Sequence, residues 1–210
     1  MKTRDRILET ALVLFNEEGE ADQSAVDIAN VLDMSPGNLY YHFRGKDAII
    51  RALFDGFEDE MLTILNGSRG AISSIEDNWV YTYILLEEIY DFRFFYRNLG
   101  AVLERYPDLA RRFRALLSAK RDAISDILSG LQGQDLIHLN PLLMDMLTDQ
   151  LLKVATFWLS FDQIEGADVP PAHLIHKTVY QMMVLVVPYM GESGLSVLRV
   201  MTDRYQSAIS

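Results

Sequence analysis

Apolar residues recur at intervals of three and four along nearly the whole chain, and no segment shows the two-residue alternation of a half-buried strand. That periodicity predicts an all-α protein. Ile7, Leu8, Ala11, Leu12 and Phe15 form the stripe of a first helix from about Thr3 to Glu18, with Thr3 as its cap and Gly19 just past its end. A second helix is expected over residues 24–32, with Ile28, Ala29 and Leu32 inward. Asp33 in the turn after it is a residue that tolerates left-handed backbone. Beyond Gly45 a long helix carries Ile49, Ala52, Leu53, Phe57, Met61, Ile64 and Leu65 and ends near Asn66-Gly67, ahead of a break at Gly67-Ser68-Arg69-Gly70. Further helices are expected over residues 76–91, 93–105, 107–131, 141–163, 171–189 and 193–208. Turns are expected at Tyr106-Pro107, Gly130 to Gly133, Asn140-Pro141, Gly166 to Pro171 and Gly191 to Gly194. With 210 residues, half of them hydrophobic, the chain can bury one large or two small cores.

The segment Ser35-Pro36-Gly37-Asn38-Leu39-Tyr40-Tyr41-His42-Phe43 carries the strongest functional signal. Serine as N-cap and proline at the first helical position start a helix, because one supplies an acceptor for free N–H groups and the other a preset φ. Leu39 and Phe43, four apart, fix its buried direction. At a turn of about 100° per residue, Gly37 lies about 160°, Tyr41 about 200° and Asn38 about 260° from Leu39, so all three face outward. Tyr40 and His42 fall on the flanks, where their polar tips can reach phosphates, and Pro36 falls nearer the core. Together with the helix before it, this is the spacing of a helix-turn-helix.

The net charge of −11 runs against nucleic-acid binding, but its distribution matters more than its total. Residues 1–6 carry Lys2, Arg4 and Arg6 against Asp5, and residues 35–51 carry Arg44, Lys46 and Arg51 against Asp47. Each cluster nets +2, while residues 1–51 as a whole stand at −3. So narrow a basic surface neutralises few phosphates, which implies modest affinity per half-site and a need for a second copy. The segments 141–163 and 174–190 lack a broad polar face, so each is buried on both sides, inside one large core or between partners. The partner reading is preferred, since an isologous four-helix contact would present two recognition helices to a palindrome.

Other chemistry is thinly represented. The chain has no cysteine, hence no disulfide or thiolate metal site. His173 and His176 share a helical face, but only Asp168 stands near as a third ligand, and no metal or other cofactor is expected. Glu87, Glu88 and Asp91 have no partner nucleophile or phosphate-binding glycine loop, and they read as a solvated face rather than an enzyme's acid and base. No signal core follows the basic first residues and no stretch reaches the roughly 18 apolar residues of a membrane span, so cytoplasmic residence is the default expectation. Aromatic residues gather between Trp79 and Tyr96, with Trp158 and Phe161 later. Each taken singly reads as core, yet Tyr83, Phe95, Met146 and Trp158 are expected to face a cavity for an apolar or amphipathic molecule.

The residues Arg6-Ile7-Leu8, Ala11, Leu14-Phe15, Gly19, Asp27-Ile28-Ala29, Met34 to Phe43 and Lys46 resemble, in that order, the N-terminal part of the TetR family of bacterial transcriptional regulators. The likeness covers about the first quarter of the chain. It implies a homodimer whose N-terminal three-helix helix-turn-helix domain, residues 1–47, binds palindromic operator DNA. The larger C-terminal helical domain, residues 48–210, would dimerise and bind a small effector that releases the DNA. It implies Pro36, Gly37 and Asn38 at base edges, Tyr41 and His42 beside them, and Ser24, Ser35, Tyr40 and Lys46 on phosphates. Gln23 stands where the family usually has a threonine or serine cap, and Asp33 where a turn glycine is usual. The segment Phe92 to Leu99 followed by Pro107 looks like one subgroup of the family's C-terminal domains. The rival readings are a helical protein-interaction module without operator binding and, further off, an enzyme.

Overall fold

The computed structural model describes residues 2–67, 74–166 and 169–209, the side chains of 193, 201 and 204–209 excepted. Residues 68–70 of the expected break and Asp168 lie outside the described residues. Three short helices open the chain: α1 (Thr3–Glu18), α2 (Ala25–Val31) and α3 (Pro36–His42). Ile7, Ala11 and Phe15, spaced by four, put one face of α1 against Ile28 and Ala29 of α2 and against Leu39 and Phe43 around α3, all buried. Ala29 is small enough for the next segment to close over it, and its carbonyl accepts from the Met34 N–H at 3.0 Å.

The caps differ from expectation in two places. Lys2 rather than Thr3 precedes α1, its N–H donating to the Asp5 carboxylate at 3.3 Å. Ser24 caps α2: its Oγ accepts from the Asp27 N–H at 3.2 Å while Asp27 accepts the Ser24 N–H at 2.8 Å. The cap therefore sits at Ser24, beside Gln23. Asp33 does take left-handed backbone, φ 52°. Glycine carries no Cβ penalty there, so Asp33→Gly is expected to stabilise by about 1 kcal/mol and raise Tm by roughly 2–4 °C in calorimetry. A fall in Tm would show that the turn is unstrained.

The fourth helix, α4 (Lys46–Gly67), follows Gly45, whose φ of 95° suits glycine. It packs first on α1 and then on α5 (Ile75–Asp91) and α8 (Pro107–Gly133), so one rod connects the N-terminal helices to the rest. Asn16, buried at the end of α1, adds a second tie. Its Nδ2 donates to the Asp91 carbonyl at 2.8 Å and its Oδ1 accepts from the Phe94 N–H at 3.0 Å.

Residues 93–105, expected as one helix, form α6 (Arg93–Arg97) and α7 (Leu99–Arg105), broken at Asn98. Phe94, Phe95 and Tyr96 are all buried, and three consecutive residues cannot share one face of a regular helix. The break lets α6 sit enclosed between α1, α5 and α9 (Pro141–Glu165), where Ser160 Oγ donates to the Tyr96 carbonyl at 2.8 Å. That hydroxyl replaces a bond the interrupted helix cannot make.

α8 runs through Gly130 to Gly133 instead of turning there, and the chain reverses at Asp135 (φ 60°). α10 (Pro171–Val186) stops short of the expected 189, because Pro188 has no N–H to continue it and residues 187–189 tighten into a 3₁₀ turn. Gly191 donates to the Leu136 carbonyl, and α11 (Glu192–Ile209) already begins before Gly194. Gly194 is required there: a Cβ would stand 2.9 Å from the Leu136 carbonyl oxygen. No strand occurs among the described residues beyond an isolated bridge between Ile137 and Met190.

Candidate nucleic-acid interface

Ser35 (φ −67°, ψ 144°) caps α3 by accepting from the Asn38 N–H at 3.2 Å, with Pro36 at the first helical position. Leu39 is fully buried and Phe43 nearly so, while Gly37, Asn38, Tyr40 and Tyr41 are exposed, Tyr41 by 85%. His42 is half-buried and meets the Tyr41 ring edge-on at 5.3 Å. Pro36 is exposed as well, against the wheel. It sits in the first turn, where side chains tilt toward the helix N-terminus and past the end of the covering helix. Gly37 is not required by the fold: a Cβ would meet only Ser35 Oγ, at 4.0 Å. The outer surface of α3 is thus an exposed strip that internal packing leaves unspecified.

The charges around it are sorted more sharply than composition allows. Lys46 Nζ, which the resemblance places on a phosphate, is engaged within the chain. It donates to the Glu20 carbonyl at 2.8 Å and stands 3.1 Å from the Glu20 carboxylate. Glu20, buried, also accepts from Arg105 at 3.1 Å and from the Tyr106 hydroxyl at 3.3 Å, and that hydroxyl lies 3.1 Å from Asp47. Burial, then the two carboxylates, hold the Tyr106 phenol well above its ordinary range. Arg51 is engaged by Asp108 at 2.8 Å. Arg4, Arg6 and Arg44 are exposed and make no salt bridge among the described residues. The Arg4 guanidinium lies 4.9 Å over the Phe43 ring, which brings the first basic cluster beside the end of α3. Ser24, exposed, spends its hydroxyl on the α2 cap.

The expected effector residues do not share a cavity. Phe95 is enclosed by Phe54, Phe94, Tyr96 and Phe113, Tyr83 stacks on His176 at 4.7 Å, and Met146 is exposed. Trp158 borders an outer groove of about 840 Å³ between α9 and α10, shared with Phe157, Phe161, Leu174 and Val184. An enclosed cavity of about 50 Å³ lies elsewhere, among α4, α5, α8, α9 and α10, walled by Leu85, Ile124, Leu128, Leu151 and Met182. Helical spacing identifies aromatics that pack, and it does not say which wall of a bundle is left unfilled.

Lys120 also lines this cavity and was missed. Its signal was present in the sequence, since it occupies the apolar stripe of α8 between Leu116 and Ala123. Glu88 departs from the solvated face expected of it: its Oε1 is buried without a hydrogen-bond partner, and burial, then Asp91 and Glu60, push the carboxyl up to about 7. His176 is held below its usual range by burial and then by His173. Among the described residues no helix is long and apolar enough to cross a membrane.

Two family models match the chain. Residues 7–53 match "Bacterial regulatory proteins, tetR family" and residues 56–198 match "Bacterial transcriptional repressor". The fold is similar to that of a TetR-family transcriptional regulator from Marinobacter aquaeolei VT8, at 30% identity and a TM-score of 0.88 over 98% of this chain and 99% of that one. Mycobacterium smegmatis AmtR shares the fold at 20% identity and a TM-score of 0.63, over 91% of this chain and 89% of that one. Among curated proteins, the Bacillus subtilis probable HTH-type transcriptional regulator YttP is 30% identical over 74 residues, 35% of this chain and 36% of its own length. The Staphylococcus aureus icaADBC biofilm operon negative regulator IcaR is 28% identical over 109 residues, 50% of this chain and 55% of its own. The chain thus spans between a third and about half the length of these curated relatives. With both family models matched in order and the nearly full-length likeness to the Marinobacter protein, the chain belongs to the TetR family of transcriptional regulators and carries its helix-turn-helix DNA-binding domain.

Proposed function

We propose that the protein is a homodimeric operator-binding regulator, a repressor released from palindromic DNA by a small amphipathic effector. The observation that carries the reading is α3, a capped helix anchored by Leu39 and Phe43 whose outward Gly37, Asn38 and Tyr41 serve no packing need of the fold. In a major groove, Pro36, Gly37 and Asn38 would meet base edges, where a glycine permits close backbone approach. Tyr41 and His42 would lie beside them, and Ser24, Ser35 and Tyr40 would meet phosphates. The free cations Arg4 and Arg44, rather than Lys46, supply the electrostatic contact in this reading. Residues 1–47 form the DNA-binding unit and 48–210 the effector and dimerisation unit.

Lys46 serves the coupling instead. The start of α4 is tied through Glu20 and Asp47 to Arg105 and Tyr106 at the α7–α8 junction, and Leu65 near the other end of α4 lines the enclosed cavity. A ligand that displaced Leu65 would move a rod whose first turn sets the position of α3. Operator affinity would then fall by the ligand's preference for the shifted dimer.

The test is binding of the purified protein to genomic DNA fragments across a salt series. A selective fragment is expected, with a steep salt dependence that drops by about one charge per protomer in Arg44→Ala. Retention of protein partners without any selective fragment would favour the protein-interaction reading.

A further inference from the structure

The cavity among α4, α5, α8, α9 and α10 is walled mostly by apolar side chains, with Asn78, Tyr81 and Thr82 as uncharged polar groups and Lys120 as the residue able to carry positive charge. Lys120 is 2% exposed, its Nζ 2.7 Å from the Tyr96 hydroxyl and 5.1 and 5.9 Å over the Tyr96 and Phe57 rings. It forms no salt bridge among the described residues. Burial pushes the amine down to about 7, opposed by the charge of Glu88. Glu88 itself answers to Asp91 on its own helix and Glu60 on α4. A buried amine that no carboxylate approaches within ion-pair distance among the described residues sheds its proton rather than remain an unmatched ion.

We propose that this cavity binds an apolar molecule ending in a single carboxylate, and that Lys120 receives the carboxylate. The proposal rests on the effector reading above and names its chemical class. A hydroxyl or methyl end group leaves Lys120 as it finds it. An ammonium end group would compete with it for the same low-dielectric space. A carboxylate gives the amine the counter-ion it lacks and forms a charge-assisted hydrogen bond beside the Tyr96 hydroxyl. The tail would lie along Leu85, Ile124, Leu128 and Leu151, and the unbranched Met182 and Met183 can repack to widen a cavity of about 50 Å³.

The experiment is calorimetric titration of the full-length, DNA-free protein with octanoate, octanol and octylamine at pH 8, in two buffers of different ionisation heat. Octanoate is expected to bind about tenfold or more tighter than octanol and to draw in about one proton per protomer, as Lys120 recharges. Lys120→Met is expected to keep octanol binding and lose both the octanoate preference and the proton uptake. Should that variant fail to fold, the proton uptake of the parent protein decides. Equal affinity for octanoate and octanol, octanoate binding without proton uptake, or no binding of any probe would overturn the proposal. Because no DNA is present, octanoate that binds as described yet leaves operator complexes intact would count against effector release and not against the site.

Discussion

Phe161→Glu is expected to turn a dimer into monomers and to lower operator affinity by at least about a hundredfold. Phe161 is 62% exposed and Ile164 83% exposed on the outer face of α9, beside exposed Phe157, Met146 and Leu142 and across a groove from Val184 of α10. Exposed Phe157, Phe161 and Ile164, within about two turns of one helix, form an apolar patch of the kind that marks an interaction surface. In the proposed dimer a second copy covers this face: besides Lys177 and Glu165, paired at 3.8 Å, the groove carries Lys153 and Asp162, which a two-fold contact can set against each other. In an isologous contact the substitution appears twice, and each glutamate would be buried against apolar side chains without a partner. The DNA consequence follows from linkage. Two half-sites held by one dimer act at millimolar effective concentration, and separate monomers lose that gain. Light scattering reads the mass and fluorescence anisotropy the affinity, while an unchanged circular dichroism spectrum shows that the exposed site left the fold intact. A dimer that persists in Phe161→Glu would place the interface elsewhere.

Phe57→Ala is expected to cost about 3–5 kcal/mol, a large share of the stability of an ordinary domain. Its ring lies 4.9 Å from Phe92, 5.8 Å from Tyr96 and 6.0 Å from Phe54, and it is almost wholly buried at the middle of α4. The ring therefore joins α4 to α6, the enclosed helix that is also bonded to Asn16 of α1 and Ser160 of α9. Neighbours held from several helices cannot collapse into the vacated space, which favours the upper part of the range. Denaturant unfolding should show a lower midpoint at unchanged slope. A loss below about 1 kcal/mol would mean that the aromatic cluster is loosely packed.

Features set by neighbours in the chain were legible in the sequence. Ser35 and Pro36 start α3, Leu39 and Phe43 orient it, and Gly45 marks the start of α4, because capping, φ and helical phase are local properties. What depended on distant partners was not. The break at Asn98 is supported by Ser160, more than sixty residues on, and Lys46 is captured by a glutamate from the α1–α2 connection. Lysine in a basic cluster reads as a phosphate contact until the structure shows the carboxylate that holds it. The surroundings of the effector candidates were illegible for a related reason: Phe95 obeys the helical phase of a buried residue, and burial does not distinguish a packed wall from the edge of a void. Lys120 was readable as an anomaly, a charged residue on an apolar stripe, though its surroundings were not.

Whether α3 reads operator DNA in two copies is decided by a nuclease footprint on a fragment selected from genomic DNA. Protection is expected over an inverted repeat whose half-sites are about one helical turn, or a multiple of it, apart, and it should be lost in Tyr41→Ala, a change at a side chain 85% exposed that keeps the parent's melting curve. No protected fragment at any salt, or full protection by Tyr41→Ala and Asn38→Ala alike, would contradict it.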